Sequence, residues 1–435
     1  MIKINYKLGI RNYELEPEAN AKVDIRTKPE ISGEQVKKSL DIAVQRVKGC
    51  LPRFTYKSQN HSSVNNIYPA VENDQWTAGF WPGQIWLAYL YTKEPIFKYA
   101  GLIQSESLLE RIKAKIEVDH HDMGFLYTPS CTAAWQITGD LRSREAAILA
   151  ADQMLTRFQE KGGFFQAWGS MGAADNYRFI IDCLMNLPLL YWATEETGNP
   201  IYAEKAAIHA KTCLAHSFRE DNSTFHTFFM NPEAGGPVRG ETCQGYADDS
   251  SWARGQAWAV YGAAIMYRYT NDAVWLDTFY KVTDYFLQRL PQDLVPYWDL
   301  IFTEGDEPRD SSSSAIVACG LLEMAEILKV NNQTENVTKD QTKDQTDNQT
   351  NGIFNNKEQA EQLTQLAKKL MYALSTSYTA TDNNTDGLLL HGTYSKKSPY
   401  NTCTPEGVDE CLTWGDYFYL EALLRLDDAG WRGYW

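Results

Sequence analysis

The sequence lacks the local patterns by which many enzymes and membrane proteins are recognised. None of its 435 residues lies in a run approaching the ~20 apolar residues of a membrane-spanning helix, and the start contains no apolar core of signal-peptide length. The motifs GxxxxGK(S/T), GxGxxG after a strand, GxSxG and HExxH are also missing. Their absence removes the usual support for a nucleotide-binding protein, a serine hydrolase or a zincin protease.

Paired cysteines and basic residues are scarce as well. The eight cysteines are scattered without a CxxC pair, which is typical of reduced thiols, so we expect an unexported, cytoplasmic chain. Acidic residues outnumber basic residues by 56 to 41, and the resulting net charge of −15 repels phosphate backbones and anionic lipid. We therefore expect neither nucleic acid nor a membrane as a partner.

What the chain does contain is helical periodicity. With 43% hydrophobic residues it can bury a large core, and apolar stripes recur at helical spacing. One such stripe is Trp275, Phe279, Val282 and Phe286. The pattern predicts twelve helices, near residues 33–50, 79–92, 96–116, 130–138, 142–159, 179–197, 200–217, 251–270, 273–290, 312–329, 357–376 and 413–428.

The connections between these helices are of two kinds. Four helices end in similar short turns, at 91–94, 137–140, 196–199 and 269–272, and each turn leads into another helix, as in an αα-hairpin. Long polar-aromatic loops precede alternate helices instead: NDQWTAGFWPG, VDHHDMGFLYTPS, GSMGAADNYRF, CQGYADDSSWARGQ, EGDEPRDSSSS and TPEGVDECLTWGD. We predict an all-α ring of six hairpins, in which these loops surround a pocket at the N-termini of the inner helices.

The predicted domain organisation is simple. Residues 1–32 form an N-terminal extension and residues 33–435 form one domain. Residues 331–352 repeat DQT and NQT with almost no apolar side chain, so we expect a low-complexity insertion loop there.

Two aspartates are the first candidates for chemistry. Asp122 and Asp182 each lie where a mouth loop meets a predicted helix, and the apolar residues around Asp182 would favour its neutral, proton-donating form. A second carboxylate nearby would act in the same direction. An N-cap role for Asp122 and a hydrogen-bonded structural role for Asp182 are equally open. A metal site at Asp119-His120-His121-Asp122 is less favoured, because adjacent residues rarely point at one ion; we predict no metal and no cofactor.

Aromatic residues in the loops favour a sugar pocket. Indole faces can stack on the C–H surfaces of sugars, and the following tryptophans lie in or just after the mouth loops: Trp76, Trp81, Trp168, Trp252, Trp258 and Trp414. Arg254 could meet a substrate carboxylate with two N–H groups, or it could form an ordinary ion pair with Asp248 or Asp249.

At these residues the chain resembles the unsaturated glucuronyl hydrolases of glycoside hydrolase family 88, which remove a 4,5-unsaturated uronic acid from lyase products. The resemblance runs from Asn73 to the C-terminus, and its motifs are NDQWTAGFWPGQIW, HHDMGFLY, DNYRFIIDCLMNLPLLYWA, FHTFFMNP, QGYADDSSWARGQAWAVYG, PRDSSSSAI and LLLHGTYS. It implies an (α/α)6 barrel.

The resemblance also implies roles for individual residues. Asp182 matches the family's general acid/base, and Asp122 matches a second essential aspartate that contacts sugar hydroxyls. Residues that match the family's sugar site are Trp76, His121, Trp168, His226, Gln244, Trp252, Arg254, Trp258 and Tyr394. The implied chemistry is protonation of C4 by Asp182 followed by hydration of the C4=C5 enol ether, which releases the rest of the saccharide.

One departure from the family pattern concerns sulfated substrates. Members that accept them resemble one another in a Ser-x-x-Ser-x-Lys run, and here Ser395 and Ser398 are kept while Tyr400 replaces the lysine. Lys396 or Lys397 is then the candidate for the missing charge. We expect unsaturated disaccharides from chondroitin or hyaluronan as substrates.

Three other functions stay open at this point. An unsaturated rhamnogalacturonyl hydrolase would share the fold and the chemistry but act on pectin fragments. A sugar epimerase would need a histidine pair in the pocket, and a non-catalytic sugar-binding protein would use the aspartates only as hydrogen-bonding groups. Fold resemblance alone does not choose among them.

Overall fold

The computed structural model describes residues 23–341, 356–382 and 384–435, and this part of the chain is mainly helical. In chain order the α-helices are α1 (Gly33–Phe54), α2 (Phe80–Thr92), α3 (Pro95–Ala114), α4 (Met123–Tyr127), α5 (Ala133–Thr138), α6 (Leu141–Leu155), α7 (Cys183–Asn186), α8 (Pro188–Thr197), α9 (Ile201–His216), α10 (Ala253–Thr270), α11 (Ala273–Gln288), α12 (Ser311–Gln341), α13 (Asn356–Ala373) and α14 (Thr413–Asp427). Shorter helical segments are a 3-10 turn at Ile25–Thr27 and π turns at Thr128–Thr132 and Leu374–Tyr378.

The helices form six neighbouring pairs around a closed ring. The pairs are α2 with α3, α4–α5 with α6, α7–α8 with α9, α10 with α11, α12 with α13, and α14 with α1. The first-named members touch in sequence, since α2 contacts the π turn that continues α4, α4 contacts α7, and the contacts go on through α10, α12 and α14 back to α2. The predicted all-α ring of six hairpins is therefore confirmed.

Burial explains which helices form the inner ring. Residues 253–266 of α10 and 413–425 of α14 are buried on every face, as expected for helices surrounded by other helices. The outer helix α11 instead buries one stripe, Trp275, Phe279, Val282 and Phe286, as its spacing predicts. The inner ring thus provides the rigid frame, and the outer helices cover it.

The strands are short and lie in the connections that lead from an outer helix to the next inner helix. They are β1 (Ser58–Gln59), β2 (Ala70–Val71), β3 (Phe158–Gln159), β4 (Phe164–Phe165), β5 (Arg178–Ile180), β6 (Thr227–Met230), β7 (Pro237–Glu241), β8 (Gly392–Ser395) and β9 (Glu406–Glu410). All their pairings are antiparallel: β1 with β2, β3 with β4, β5 with β6, β6 with β7, and β8 with β9. These ribbons stiffen the loops that the sequence placed at the mouth.

Several predicted boundaries are wrong, and three of them have a clear physical reason. Residues 178–180 form β5 and not the start of the helix predicted at 179–197, because a short apolar run fits a buried strand as well as a helix. The helix predicted at 130–138 already begins at Met123, since a π turn accommodates Pro129. Residues 331–341 of the predicted insertion loop continue α12, because extending an existing helix adds a hydrogen bond for each residue fixed.

Parts of two predictions lie outside the described residues. These are residues 1–22 of the N-terminal extension and residues 342–352 of the insertion. The end of the extension that is described approaches α13, where the backbone N–H of Ile31 donates to the carbonyl of Lys368 (3.2 Å). The division at residue 32 stays a prediction. In the described part of the chain, no helix has both the length and the apolar character needed to cross a membrane.

Candidate active site

A pocket of about 460 Å³ opens among the strand-bearing connections. It is lined by Trp76, Asp122, Trp168, Ile180, Asp182, His226, Cys243, Gln244, Tyr394, Ser395, Thr402, Cys403, Thr404 and Glu406. The lining therefore comes from loops far apart in sequence, and it includes both aspartates that the sequence singled out.

A close approach between two inner helices brings the aspartates together. A Cβ added at Gly124 in α4 would lie 2.3 Å from the Cα of Asn186 in α7, so only glycine allows these backbones to touch. Asn186 joins the two helices further, because its Oδ1 accepts the backbone N–H of Phe125 (2.8 Å) and its Nδ2 donates to Oδ1 of Asp122 (3.4 Å). Asp122 and Asp182 are the residues that immediately precede these helices.

Asp182 has the environment of a neutral acid. Its side chain is 6% exposed, and its buried Oδ1 has no hydrogen-bond partner among the described residues. Burial, reinforced by the charge of Asp122 and opposed by that of Arg254, raises the pKa of Asp182 to about 7. The hydrogen-bonded structural role considered for this residue does not account for that open oxygen.

The surroundings of Asp122 favour its ionised form instead. Asp122 precedes α4, yet its side chain makes no capping hydrogen bond. Its carboxylate oxygens lie 3.2 Å from Nδ1 of His120 and 3.2 Å from Nε2 of His121. Burial acts to raise the pKa of Asp122, but the contacts with His121, His120 and Asn186 outweigh it and lower that pKa below its ordinary value. The pair thus combines a carboxylic acid with a carboxylate, as acid–base sites often do.

His226 is a neutral hydrogen-bond donor in the pocket wall. Its Nδ1 accepts the backbone N–H groups of Cys243 (2.9 Å) and Gln244 (3.2 Å), so the ring hydrogen is on Nε2. Burial, together with the charges of Arg254 and Arg178, lowers the pKa of His226 to about 3. The buried Nε2 has no partner among the described residues, so its N–H group is available to a ligand in the pocket.

Two of the six loop tryptophans line the pocket. Trp76 stacks on Trp414 with ring centroids 5.3 Å apart and donates its Nε1–H to the Tyr394 hydroxyl (3.3 Å). Trp168 lies under the guanidinium of Arg178, which is 4.6 Å from the ring centroid. Each therefore has its ring held by a neighbour next to the open space.

The other tryptophans are packed behind this surface. Trp252 lies against the His226 ring, at a centroid distance of 4.5 Å, and Trp258 is buried against Phe125. Trp81 and Trp414 are also buried, and their indole N–H groups donate to the carbonyl of Phe54 and to Oγ of Ser312. Contact of Trp252 and Trp258 with a ligand stays a prediction.

Arg254 is paired inside the protein. Its guanidinium is 1% exposed and donates to Asp310 (2.8 Å), to the carbonyl of Thr393 (2.8 Å) and to the carbonyl of Tyr394 (2.6 Å). Neither Asp248 nor Asp249 is its partner. Arg254 therefore fixes strand β8 behind Tyr394, and its contact with a substrate carboxylate stays a prediction.

The remaining predicted residues lie at different depths. His121 is fully buried beside Asp122. Gln244 and Ser395 line the pocket, and their side chains donate to the carbonyls of Tyr394 (3.0 Å) and Thr404 (2.6 Å). Ser398 does not line the pocket; it is buried, and its hydroxyl donates to the carbonyl of Tyr246.

The two lysines of this run are engaged by the protein. Lys396 pairs with Glu307, and Lys397 donates to the carbonyl of Asn401. Tyr400 is largely exposed and packs edge-on against Tyr246.

One side of the pocket is formed by residues that the sequence did not indicate. These are Cys243, Thr402, Cys403, Thr404 and Glu406; three of them belong to the loop that joins β8 to β9, which has no periodicity to reveal its position, and Glu406 is the first residue of β9. Asn186 could have been found, because it lies four residues after Asp182 and residues at that spacing share a helix face.

The residues of the Asp119–Asp122 run make separate sets of contacts. Asp119 points away and pairs with Arg157 (2.9 Å), whereas His120 and His121 both contact Asp122. In the described parts of the chain, no three histidine, cysteine or acidic side chains are placed to share a metal ion.

Comparison with known proteins gives a consistent result. The model of Glycosyl Hydrolase Family 88 matches residues 52–361. The chain is 42% identical over 413 residues to an unsaturated chondroitin disaccharide hydrolase of Streptococcus pneumoniae, covering 94% of this chain and 95% of that protein.

Solved structures agree. The crystal structure of an unsaturated glucuronyl hydrolase from Streptococcus agalactiae superposes with a TM-score of 0.84 at 38% identity, covering 97% of this chain and all of that one. An aspartate-to-asparagine variant of the S. agalactiae enzyme complexed with dGlcA-GalNAc6S superposes with a TM-score of 0.77 at 36% identity, covering 96% and 98% of the two chains. The chain therefore belongs to glycosyl hydrolase family 88 and is a glycoside hydrolase.

Proposed function

We propose that this chain removes a 4,5-unsaturated uronic acid from the non-reducing end of lyase-generated disaccharides of the chondroitin or hyaluronan type. The relatives named above act on such sugars, as their names state, and the pocket here has the aromatic and acidic groups that the reaction needs. The substrate is the only partner we propose. Free thiols at all eight cysteines are typical of a reducing compartment, so we place the enzyme in the cytoplasm.

The reaction uses one acid in place of the usual two-carboxylate scheme. Asp182 donates its proton to C4 of the enol ether, and positive charge develops at C5 and the ring oxygen. The ionised Asp182 then takes a proton from the water that adds to C5. The resulting hemiketal opens as the bond between C5 and the ring oxygen breaks, and C1, now a hemiacetal, releases the remaining sugar as an alcohol.

The observation that carries this proposal is the carboxyl of Asp182. It lines the pocket, its Oδ1 has no partner among the described residues, and its pKa of about 7 keeps a large protonated fraction at neutral pH. An acid with these properties can protonate a carbon, which a fully ionised carboxylate could not do.

Neighbouring groups complete the proposed sugar site. Asp122 stays ionised and can accept hydrogen bonds from sugar hydroxyls, and the free Nε2–H of His226 can donate one. Trp76 and Trp168 offer ring faces for the apolar surface of the sugar.

A panel of unsaturated disaccharides tests the function directly. The protein is incubated with lyase products of hyaluronan, chondroitin and rhamnogalacturonan, and the loss of ultraviolet absorbance by the conjugated alkene is followed. Fast loss with the first two supports the proposal. Activity on the pectin fragment alone would assign a rhamnogalacturonyl hydrolase, whereas isomerisation or binding without alkene loss would assign an epimerase or a binding protein.

The value of kcat/KM should decrease as the pH rises above neutrality. Because the reaction needs protonated Asp182, and the pKa of that group is about 7, activity declines about tenfold per pH unit above this value. Below pH 7 we expect a plateau, since the pKa values of Asp122 and His226 lie well to the acid side. Initial rates measured from pH 5 to 9 check this, and a rise in kcat/KM between pH 7 and 9 would contradict the assigned acid.

Sulfate on the second sugar is not expected to increase activity. Tyr400 replaces the lysine found in members that accept sulfated sugars, and the nearby Lys396 and Lys397 are already bound to protein groups. We expect kcat/KM for the 6-sulfated chondroitin disaccharide to be no higher than for the unsulfated one. A clear preference for the sulfated sugar in the same assay would contradict this expectation.

Restoring the lysine provides the matched test. Tyr400→Lys should raise kcat/KM for the 6-sulfated disaccharide relative to the unsulfated one by about threefold to fivefold, because an exposed ion pair contributes up to ~1 kcal/mol. Tyr400→Gln, which removes the ring without adding charge, should leave that ratio unchanged. An equal rise in both variants would show that the ring and not the missing charge limits sulfate binding.

A further inference from the structure

Two cysteines lie on neighbouring segments of the active-site rim. Cys243 follows β7 and Cys403 lies in the loop between β8 and β9; both line the pocket and are partly exposed. Nothing in the hydrolytic mechanism uses a thiol. We call the loop segment 396–405 the rim loop.

Hydrogen bonds hold the rim loop against the segment that contains Cys243. The Ser398 hydroxyl donates to the carbonyl of Tyr246, Asn401 Nδ2 donates to the carbonyl of Gly245 (2.9 Å), and the Thr402 hydroxyl lies 4.0 Å from Sγ of Cys243. As the rim-loop number rises from 398 to 402, its partner number falls from 246 to 243. The two segments therefore pass each other in opposite directions, and the next rim-loop residue, Cys403, falls beside Cys243.

The remaining cysteines are in a different setting. Cys50, Cys131, Cys183, Cys213, Cys319 and Cys411 are all buried. Cys183 and Cys213 are also neighbours, with their thiols within hydrogen-bonding reach of each other, but both are fully enclosed. Only the rim pair combines proximity with an open path from solvent.

We infer that Cys243 and Cys403 form an oxidation-sensitive thiol pair, which a peroxide converts to a disulfide that obstructs the active site. Their segments run antiparallel in contact with each other, and both thiols are partly exposed in the pocket. The disulfide would determine whether the site is active, and not which substrate it binds.

The chemistry balances with hydrogen peroxide as the oxidant. The Cys403 thiol is engaged by the carbonyl of Lys396, so we assign the first step to Cys243. The Cys243 thiolate attacks peroxide, the O–O bond breaks, and the thiol becomes a sulfenic acid while one water is released. The Cys403 sulfur then displaces the sulfenic oxygen as a second water, which leaves one S–S bond; a dithiol such as dithiothreitol reverses the reaction.

The disulfide would affect groups in the pocket through one hydrogen bond and through the residue next to Cys243 in the chain. The backbone N–H of Cys243 donates to Nδ1 of His226, and Gln244 follows directly in the chain. Cys403 now donates its S–H to the carbonyl of Lys396 (3.2 Å), a contact that must break for the sulfur to turn toward Cys243. The cross-link would therefore fix the rim loop to the segment after β7, change the pocket wall that both segments form, and constrain the backbone N–H groups that His226 accepts.

Peptide mapping of the oxidised protein tests the pair without any assay of turnover. The full chain is treated with hydrogen peroxide, free thiols are alkylated, and the digest is searched for a peptide joined through Cys243 and Cys403 with the loss of two hydrogens. We expect this cross-link, its loss after dithiothreitol, and its absence in Cys243→Ser and Cys403→Ser. Oxidation that yields only sulfinic acid, or a disulfide elsewhere, would overturn the proposal.

The rate of alkene hydrolysis by the same samples measures whether the disulfide inactivates the enzyme. Only this measurement rests on the proposed function. Each variant is compared with its own untreated sample. We expect at least about a tenfold loss in the wild type because the cross-link obstructs the substrate pocket, with recovery in dithiothreitol. Cys213→Ser is the matched control from the enclosed pair and should respond as the wild type does; reversible inactivation that disappears in this variant would assign the effect to Cys183 and Cys213 instead. If untreated protein hydrolyses no disaccharide, the proposed function fails while the mapping still decides the thiol pair.

Discussion

Replacing Asp182 with asparagine should lower kcat by about 10³-fold, which lies within the ~10²–10⁴-fold range for loss of general acid–base catalysis. The amide has nearly the same shape as the carboxylic acid and is also uncharged, but it has no proton to give to C4. Since burial already favours an uncharged group at this position, the pocket should keep its structure and the variant should still bind the unsaturated disaccharide.

Three measurements separate lost chemistry from lost structure. Alkene absorbance gives kcat, calorimetric titration gives the affinity for the disaccharide, and thermal unfolding gives the stability. Asp416→Asn is the matched control, because Asp416 is likewise a buried aspartate whose pKa burial raises to about 7, yet it lies outside the pocket. Its carboxylate accepts hydrogen bonds from Tyr68 and from the backbone N–H groups of Leu388 and Leu389.

The expected pattern is a large loss of kcat in Asp182→Asn alone, with the affinity for substrate kept. Near-normal turnover by Asp182→Asn would remove the assigned proton donor. A loss of similar size in folded Asp416→Asn would show that the assay responds to a general disturbance of the inner helices and not to the missing acid.

The helices of this fold were predictable because each face of a helix leaves a periodic trace in the sequence. The stripe in α11 is typical of an outer helix, whereas the residues from 253 to 266 of α10 are all buried, as in an inner helix. The errors occur where periodicity gives no information. Residues 178–180 are too few to distinguish a strand from a helix, and the sequence at the end of α12 has no apolar stripe at helical spacing that would predict a helix.

The candidate site likewise contains residues that the sequence could locate and residues that it could not. The two aspartates and Trp76 lie next to helix starts, where loops can be located from the helices that follow them, and Trp168 lies in the connection between β4 and β5. Thr402, Cys403 and Thr404 were missed because the place of the rim loop at the pocket depends on contacts with residues 243–246, about 150 positions earlier in the chain. The partner of Arg254 shows the same limit, since it is Asp310 and not an aspartate nearby in sequence.

The second large effect is expected for Asp122→Asn. The negative charge of Asp122 is one of the causes that raise the pKa of Asp182, after burial itself. Removing that charge lowers the pKa of Asp182, so less of the acid is protonated at neutral pH. The variant also loses a carboxylate that can accept hydrogen bonds from sugar hydroxyls. We expect kcat/KM at pH 7.5 to fall by about 10²-fold, from loss of both acid and orientation.

The pH profile distinguishes the two roles of Asp122. If it tunes Asp182, the alkaline decline in kcat/KM moves to lower pH, and part of the lost activity returns when Asp122→Asn is assayed at pH 5. Asp182→Asn should regain nothing there, because it has no proton at any pH. A profile with an unshifted decline and a uniform loss would instead assign Asp122 to sugar binding alone.

A variant of Asn186 changes how the Asp122 carboxylate is positioned but keeps its charge. Asn186 Nδ2 donates to Asp122, and its Oδ1 holds the first turn of α4 through the backbone N–H of Phe125. Asn186→Ala keeps both aspartates, so the alkaline decline should stay near the wild-type pH if charge is what tunes Asp182, even where kcat falls. An acid shift in this variant as large as that in Asp122→Asn would mean that the helix contact, and not the carboxylate itself, sets the acidity of Asp182.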